Sequence, residues 1–74
     1  MPKITYVRTL ANGAGVVIKN VPAVTVEWEG GSEVGFAPEV VERLEALLKA
    51  AERENPPPGA FVVLDYEAPS PEER

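Results

Sequence analysis

The side chains that most often carry enzymatic chemistry are scarce in this sequence. It has no His and no Cys, so it lacks the commonest general base, the thiolate nucleophile and the usual zinc ligands. The serines, Ser32 and Ser70, fall in a predicted turn and a predicted tail. We therefore expect a protein that is not an enzyme, with no catalytic residue, no cofactor and no metal ion.

The carboxylates are the remaining groups that could do acid–base or metal chemistry. Asp65 lies in an apolar segment, where burial could perturb it, but a strand-end acid that reaches solvent or pairs with a cation is the favoured interpretation. Glu27, Glu29 and Glu33 gather around one turn, yet their spacing matches no calcium-binding loop. We interpret them as a solvated acidic face.

The sequence also gives little support for a phosphate-binding or nucleic-acid-binding site. Residues 12–15 (NGAG) have the glycines of a phosphate loop but lack the Lys and Ser or Thr that should follow, so they predict a turn. Tyr6, Arg8 and Lys19 would lie together on one hairpin, where they could hold phosphates and stack a base. Three cations on an acidic chain neutralise few phosphates, so we do not expect nucleic acid as a partner.

The length and composition indicate one small domain. Seventy-four residues bury a modest core, and without Cys the chain has no disulfide to support it, so self-association is an expected route to stability. Many Glu, Ala and Pro residues with no Cys and no Gln resemble heat-adapted proteins. No apolar run approaches the roughly 20 residues of a membrane span, so we expect a cytoplasmic protein without a membrane partner.

The net charge of −5 is unevenly distributed. Residues 1–20 hold three cations and no acid, whereas residues 21–37 hold three glutamates and no cation. Opposed charge of this kind favours complementary contacts between molecules.

The first part of the chain predicts a β-hairpin. Residues 4–10 and 15–20 are rich in β-branched residues, and Asn12-Gly13 is typical of a two-residue type I′ turn. That turn would pair Val7 with Ile18 and Tyr6 with Lys19, and it would leave both hairpin faces partly apolar.

A second hairpin is predicted from residues 23–29 and 33–36. Val24, Val26 and Trp28 alternate with polar residues. A three-residue loop at 30–32 would pair Trp28 with Val34 and keep the apolar side chains on one face. Trp28 is then expected in the core beneath a helix, and a binding hot spot at an interface is the less favoured interpretation.

The remaining elements are a helix and a strand. Pro38 is typical of a first helical position, and apolar residues continue at helical spacing, so residues 38–54 predict one helix. Residues 60–67 (AFVVLDYE) are apolar on both faces, with Phe61 and Val63 on one and Tyr66 on the other. Such a pattern is typical of a central strand that is buried on both sides.

The predicted fold class is α+β, an antiparallel sheet of two hairpins plus a C-terminal strand in the order ββββαβ, with one helix packed on one face. Residues 1–67 form a single domain, and residues 68–74 form an acidic, Pro-rich tail. One helix covers only one side of the sheet, so a second copy of the chain is the simplest cover for the other.

Two functional hypotheses follow. The leading one is a non-catalytic, structural assembly or adaptor module that acts through homo-oligomeric or multi-subunit protein binding, for example in a virion. Its contacts are expected at Tyr6, Arg8, Lys19, Phe61, Val63 and Tyr66.

The alternative is an acidic regulator or inhibitor that binds a basic protein such as a toxin, a polymerase or another nucleic-acid-binding protein. It would act through Glu27, Glu29, Glu33, Glu72 and Glu73. A complex that weakens with salt and on deletion of residues 68–74 would distinguish it.

Overall fold

Five strands and one helix follow one another along residues 2–66, the part of the chain that the computed structural model describes. They are β1 (Lys3–Thr9), β2 (Gly15–Pro22), β3 (Val24–Trp28), β4 (Gly31–Gly35), α1 (Pro38–Arg53) and β5 (Phe61–Asp65). This order confirms the predicted ββββαβ arrangement and the α+β class. The predicted tail, residues 68–74, lies outside the described residues.

The strands form two separate sheets. β2 is the central strand of a three-stranded sheet, with β1 antiparallel on one side and β5 parallel on the other. β3 and β4 form a sheet of their own. The prediction that β5 is a central strand was wrong, because the chain returns from α1 to the one vacant side of β2 and leaves β5 at the edge.

The loop between β1 and β2 is one residue longer than predicted. Leu10 N–H donates to Ala14 O at 2.7 Å, and Gly13 N–H donates to Leu10 O at 3.0 Å, so residues 11–13 form a three-residue loop. A type I′ turn requires a positive φ at both central residues. Gly13 has a φ of 94°, but the φ of Asn12 is not positive. The arrangement is a tight turn followed by a left-handed glycine, a common three-residue hairpin loop.

The longer loop changes the register of the hairpin. Val7 lies opposite Val17 rather than Ile18, and Tyr6 lies opposite Ile18 rather than Lys19. A shift of one residue moves every side chain to the other face. Consequently, the predicted cluster of Tyr6, Arg8 and Lys19 does not form, because Lys19 lies on the opposite side of the sheet.

A bulge in β2 places two apolar side chains on the same face. Two residues, Lys19 and Asn20, lie opposite the single residue Thr5 of β1, and Asn20 adopts a φ of 62°, which Asn tolerates better than most residues. The extra residue brings Val21 to the same side as Ile18, and both are fully buried.

The second hairpin also differs from its predicted register. Trp28 pairs with Gly31 across a two-residue loop at 29–30, and Thr25 pairs with Val34, so the apolar residues are divided between the two faces. Trp28 is 53% exposed, and its predicted place in the core was wrong. The prediction assumed a hairpin packed under the helix, but a separate two-stranded sheet has no core face to fix its register.

α1 covers one face of the three-stranded sheet. It begins at Pro38, as predicted, and ends at Arg53, one residue before the predicted end. Its buried side chains are Val40, Leu44 and Ala51. Val41, the next residue after Val40, is 40% exposed. The core lies between this helix and β2, which supplies the largest fully buried side chains, Val16, Ile18 and Val21.

Substitution of two glycines tests backbone strain separately from steric clashes. A Cβ added at Gly59 or at Gly35 would meet no atom within 4 Å, but only Gly59 has a left-handed φ, of 87°. We expect Gly59→Ala to lower the free energy of unfolding by about 1–2 kcal/mol and Gly35→Ala to change it by less than about 0.5 kcal/mol. Urea denaturation measures both; equal values for the two variants would contradict the left-handed assignment at Gly59.

Candidate interaction surfaces

One side of the three-stranded sheet is not covered by the helix. Side chains alternate between the two faces of a strand, so while Val16 of β2 is buried under α1, its neighbour Val17 points to the other side. Val7, Val17 and Val63 are register partners and form a row across all three strands. Val7 is 60% exposed and Val63 is 57% exposed. We call this side, with Phe61 included, the open face.

Phe61 extends the apolar row towards one end of the sheet. It pairs in register with Gly15 of β2, and a Cβ added to Gly15 would lie 2.6 Å from two atoms of the Phe61 ring. The ring therefore rests on the glycine backbone and buries it, while Phe61 itself remains 69% exposed. A larger residue at position 15 would displace the ring from this place.

The other end of the open face is polar. Lys19 and Asp65 are register partners on β2 and β5, and both are exposed. The Asn20 side-chain amide donates to Asp65 Oδ2 at 3.2 Å. Asp65 thus lies at an exposed strand end with a polar neighbour, which agrees with the favoured sequence interpretation.

The outer edge of β5 forms a border of the open face. At its two ends the segment is bonded to β2: Ala60 O accepts from Gly15 N–H at 2.8 Å, and Tyr66 N–H donates to a β2 carbonyl at 2.9 Å. Backbone groups alternate between the two sides of a strand, so those of Phe61 and Val63 face away from β2. Within residues 2–66 no strand pairs with this edge.

A second exposed apolar surface lies on β3, β4 and the loop at 29–30, which we call the hairpin arm. Val26 and Trp28 share one face of the arm and are 50% and 53% exposed. On the opposite face, Val34 is 59% exposed. The indole nitrogen of Trp28 comes within 3.3 Å of the position that a Gly30 Cβ would occupy, so the ring folds back over the turn.

The acidic residues of the alternative hypothesis are partly on the hairpin arm. Glu27, Glu29 and Glu33 are all exposed there, whereas Glu72 and Glu73 lie outside the described residues. Glu33 is opposite Val26 in register and therefore shares the face of Trp28. Within residues 2–66 no three acidic side chains are placed to hold a metal ion together.

The predicted contact residues divide between the two faces of the sheet. Lys19, Phe61 and Val63 lie on the open face. Tyr6 and Arg8 are on the helix side, where Arg8 Nη1 donates to the Tyr6 hydroxyl at 2.8 Å.

Aromatic contacts hold the tyrosines of the helix side. The ring of Tyr6 meets that of Phe36 edge to face, with centroids 5.9 Å apart. Tyr66 lies beneath the Arg43 guanidinium, which is 5.8 Å from its ring centroid. These side chains stabilise the junction of helix and sheet. The predicted contact residues that are more accessible to a partner therefore lie on the open face.

Sequence reasoning identified part of these surfaces. It named Phe61 and Val63 from the two-faced pattern of the last strand. It missed the exposure of Val26 and Trp28, whose alternation with polar residues is the usual sign of a face packed on a core. The pairing partners could have given a signal, because Trp28 lies opposite Gly31, which offers no side chain to pack beside it, and Val26 lies opposite the charged Glu33.

Within residues 2–66 the surface also has grooves that are open to solvent, two of which border the first hairpin. One of about 210 Å³ lies between the first loop and the end of α1 and includes Asn12, whose amide donates to Pro56 O at 2.8 Å. The other, of about 320 Å³, lies between Arg8 and the helix residues Glu45 and Lys49. Compared with the open face and the hairpin arm, both grooves are small and exposed to solvent.

These features define the chain as a small α+β domain with two exposed apolar surfaces, the open face and the hairpin arm. Across residues 2–66, no helix combines the length and the apolar character needed to cross a membrane. No protein-family model, no curated protein sequence and no solved structure matches the chain.

Proposed function

We propose that this chain is a non-catalytic assembly module that functions by binding further copies of itself, alone or as a subunit of a larger particle such as a virion. The observation that carries the proposal is the row of Val7, Val17 and Val63, with Phe61 beside it, on the side of the sheet opposite the helix. Single exposed apolar residues are normal on a protein surface, but a contiguous apolar patch marks an interaction site.

The layer structure explains why the patch exists. A sheet buries its apolar faces against another layer of structure, and α1 supplies such a layer on one side only. Five residues along β5 and eight along β2 present side chains to both sides. A second copy of the chain would add the missing layer without requiring any other component.

The size of the effect also indicates that the open face does not act alone. Burying a large apolar side chain contributes about 1.5–3 kcal/mol. Val7, Phe61 and Val63 are 60%, 69% and 57% exposed, so they contribute roughly 3–5 kcal/mol from each copy and about twice that from two copies. Association costs about 4–15 kcal/mol in lost translational and rotational freedom. Two open faces offset only part of this range, so further apolar burial favours a stable assembly, and the hairpin arm is the other large source of it.

The test is the mass of the protein in solution. We expect sedimentation equilibrium to give a multiple of the 8.0 kDa chain mass as the concentration rises from low micromolar to millimolar. The same multiple should persist at moderate salt, since apolar burial provides most of the binding energy. A mass of 8.0 kDa at every concentration would refute the proposed function.

A further inference from the structure

We propose that the hairpin arm of one copy packs on the open face of a second copy, and reciprocally, so that two chains close into a two-fold dimer. This inference rests on the proposed function and specifies its contact. It joins the two exposed apolar surfaces of the domain, the open face of the three-stranded sheet and the arm face that carries Val26 and Trp28.

The arm lacks packing of its own. An isolated two-stranded hairpin is marginally stable in water and needs a third strand or a packed face. Within residues 2–66 the arm is fixed mainly at its base, where Ala23 is fully buried and donates its N–H to Pro2 O at 3.0 Å. Towards the tip, Val26 and Trp28 are half exposed. A surface on another copy would supply the packing that the chain itself does not.

The arm face carries exposed apolar side chains that could pack into another surface. Trp28 and Val24 are opposite Gly31 and Gly35 in register, so these two side chains stand beside residues that have none, whereas Val26 lies opposite Glu33. An exposed Trp is a frequent centre of binding energy at interfaces. The open face offers it the exposed side of the Phe61 ring and the valine row.

Charge selects the arm over other surfaces of the second copy. The arm carries three glutamates and no cation, and one of them, Glu33, lies on the docking face, opposite Val26. The open face carries Lys19 and Asp65, and strand alternation places Lys3 on the same side, which gives a net charge of about +1. Packing two open faces together, or two arms together, would bring like net charges into contact. Packing arm on open face brings opposite charges together, which favours this pairing.

Reciprocity follows from the composition of each copy. Every chain has one arm and one open face, so a two-fold arrangement uses both surfaces of both chains and closes the assembly. One-way docking would leave an arm and a face exposed at the ends and would continue into a filament.

The sole tryptophan gives a direct readout, because Trp28 is the only Trp in the sequence and lies on the docking face. We expect its fluorescence emission to move to shorter wavelength, and its quenching by acrylamide to fall, over the concentration range in which the mass doubles. Trp28→Ala is expected to raise the dimer Kd at least about 30-fold, as for a central interface residue.

Charge reversal tests which surfaces meet. At low ionic strength, Lys19→Glu and Glu33→Lys should each raise the dimer Kd about fivefold, and the double variant should return it to within about twofold of the original. Glu42→Lys is the matched control, because it makes the same change on an exposed position of α1 and should leave the Kd unchanged.

The outcomes separate this inference from the proposed function. A dimer whose Trp28 emission does not depend on concentration, or in which the double reversal is weaker than either single variant, overturns arm docking and leaves self-association standing. Growth beyond the dimer with concentration overturns the two-fold closure. A chain that stays at 8.0 kDa throughout overturns both.

Discussion

Val63→Asp is expected to abolish self-association while leaving the fold of the single chain intact. Val63 lies at the end of the valine row on β5 and is 57% exposed, so the new carboxylate reaches water in the monomer. In an assembly it would be buried without a partner, at a cost of several kcal/mol. We expect sedimentation equilibrium to give the monomer mass at concentrations where the original protein is fully associated.

Val41→Asp provides the matched control. Val41 is also an exposed valine, 40% accessible, but it lies on α1, on the opposite side of the molecule from the open face. We expect this variant to associate like the original protein. Circular dichroism should show that both variants are folded; association of Val63→Asp at the original affinity would remove the open face from the interface.

Ile18→Ala is expected to have the largest effect on stability. Ile18 is a fully buried side chain of the central strand and packs in the core between β2 and α1. Its truncation leaves a cavity and costs about 2–5 kcal/mol. A domain of 74 residues has a total stability of roughly 4–11 kcal/mol, so the variant loses a large share of it or fails to fold.

Urea denaturation at low protein concentration measures this loss without the contribution of self-association, which stabilises folded chains by mass action. Val41→Ala is the control, because it removes two methyl groups from an exposed helical position and should change the free energy of unfolding by less than about 0.5 kcal/mol. An Ile18→Ala midpoint equal to that of the original protein would place the core elsewhere.

The helix could be predicted because its signals are local. Pro38 at the first position, the apolar spacing along residues 38–54 and the prolines at 56–58 depend only on nearby sequence, and α1 runs over Pro38–Arg53. Local patterns also predicted the strands, and the strands together with the helix gave the order of the elements along the chain.

The pairings of the strands depend on distant contacts and could not be predicted in the same way. Asn12-Gly13 is compatible with a two-residue and a three-residue loop, and the choice depends on the bonds that Asn12 makes with Ala14 N–H and Pro56 O. Pro56 is more than forty residues away, so no local pattern reports it. The second hairpin was assigned a register that collects its apolar side chains, which holds only for a hairpin packed on a core.

The candidate surfaces could be predicted in part for a related reason. An excess of apolar residues over what one helix covers is a property of composition and pattern, and it indicated the exposure of Phe61 and Val63. The position of that excess depends on topology. β5 enters at the edge of the sheet rather than its centre, and Trp28 lies on an arm rather than beneath the helix.

The parallel pairing of β5 with β2 also bears on how the chain folds. β1 with β2, and α1 by itself, can form from neighbours in sequence within microseconds. Gly15 and Phe61, in contrast, meet only after the whole of the second hairpin and the helix have been looped out, and long-range closures of this kind slow folding. We therefore expect β5 to be the last strand to join, and until it does, the flank of β2 that it occupies is open to the same strand of a neighbouring molecule.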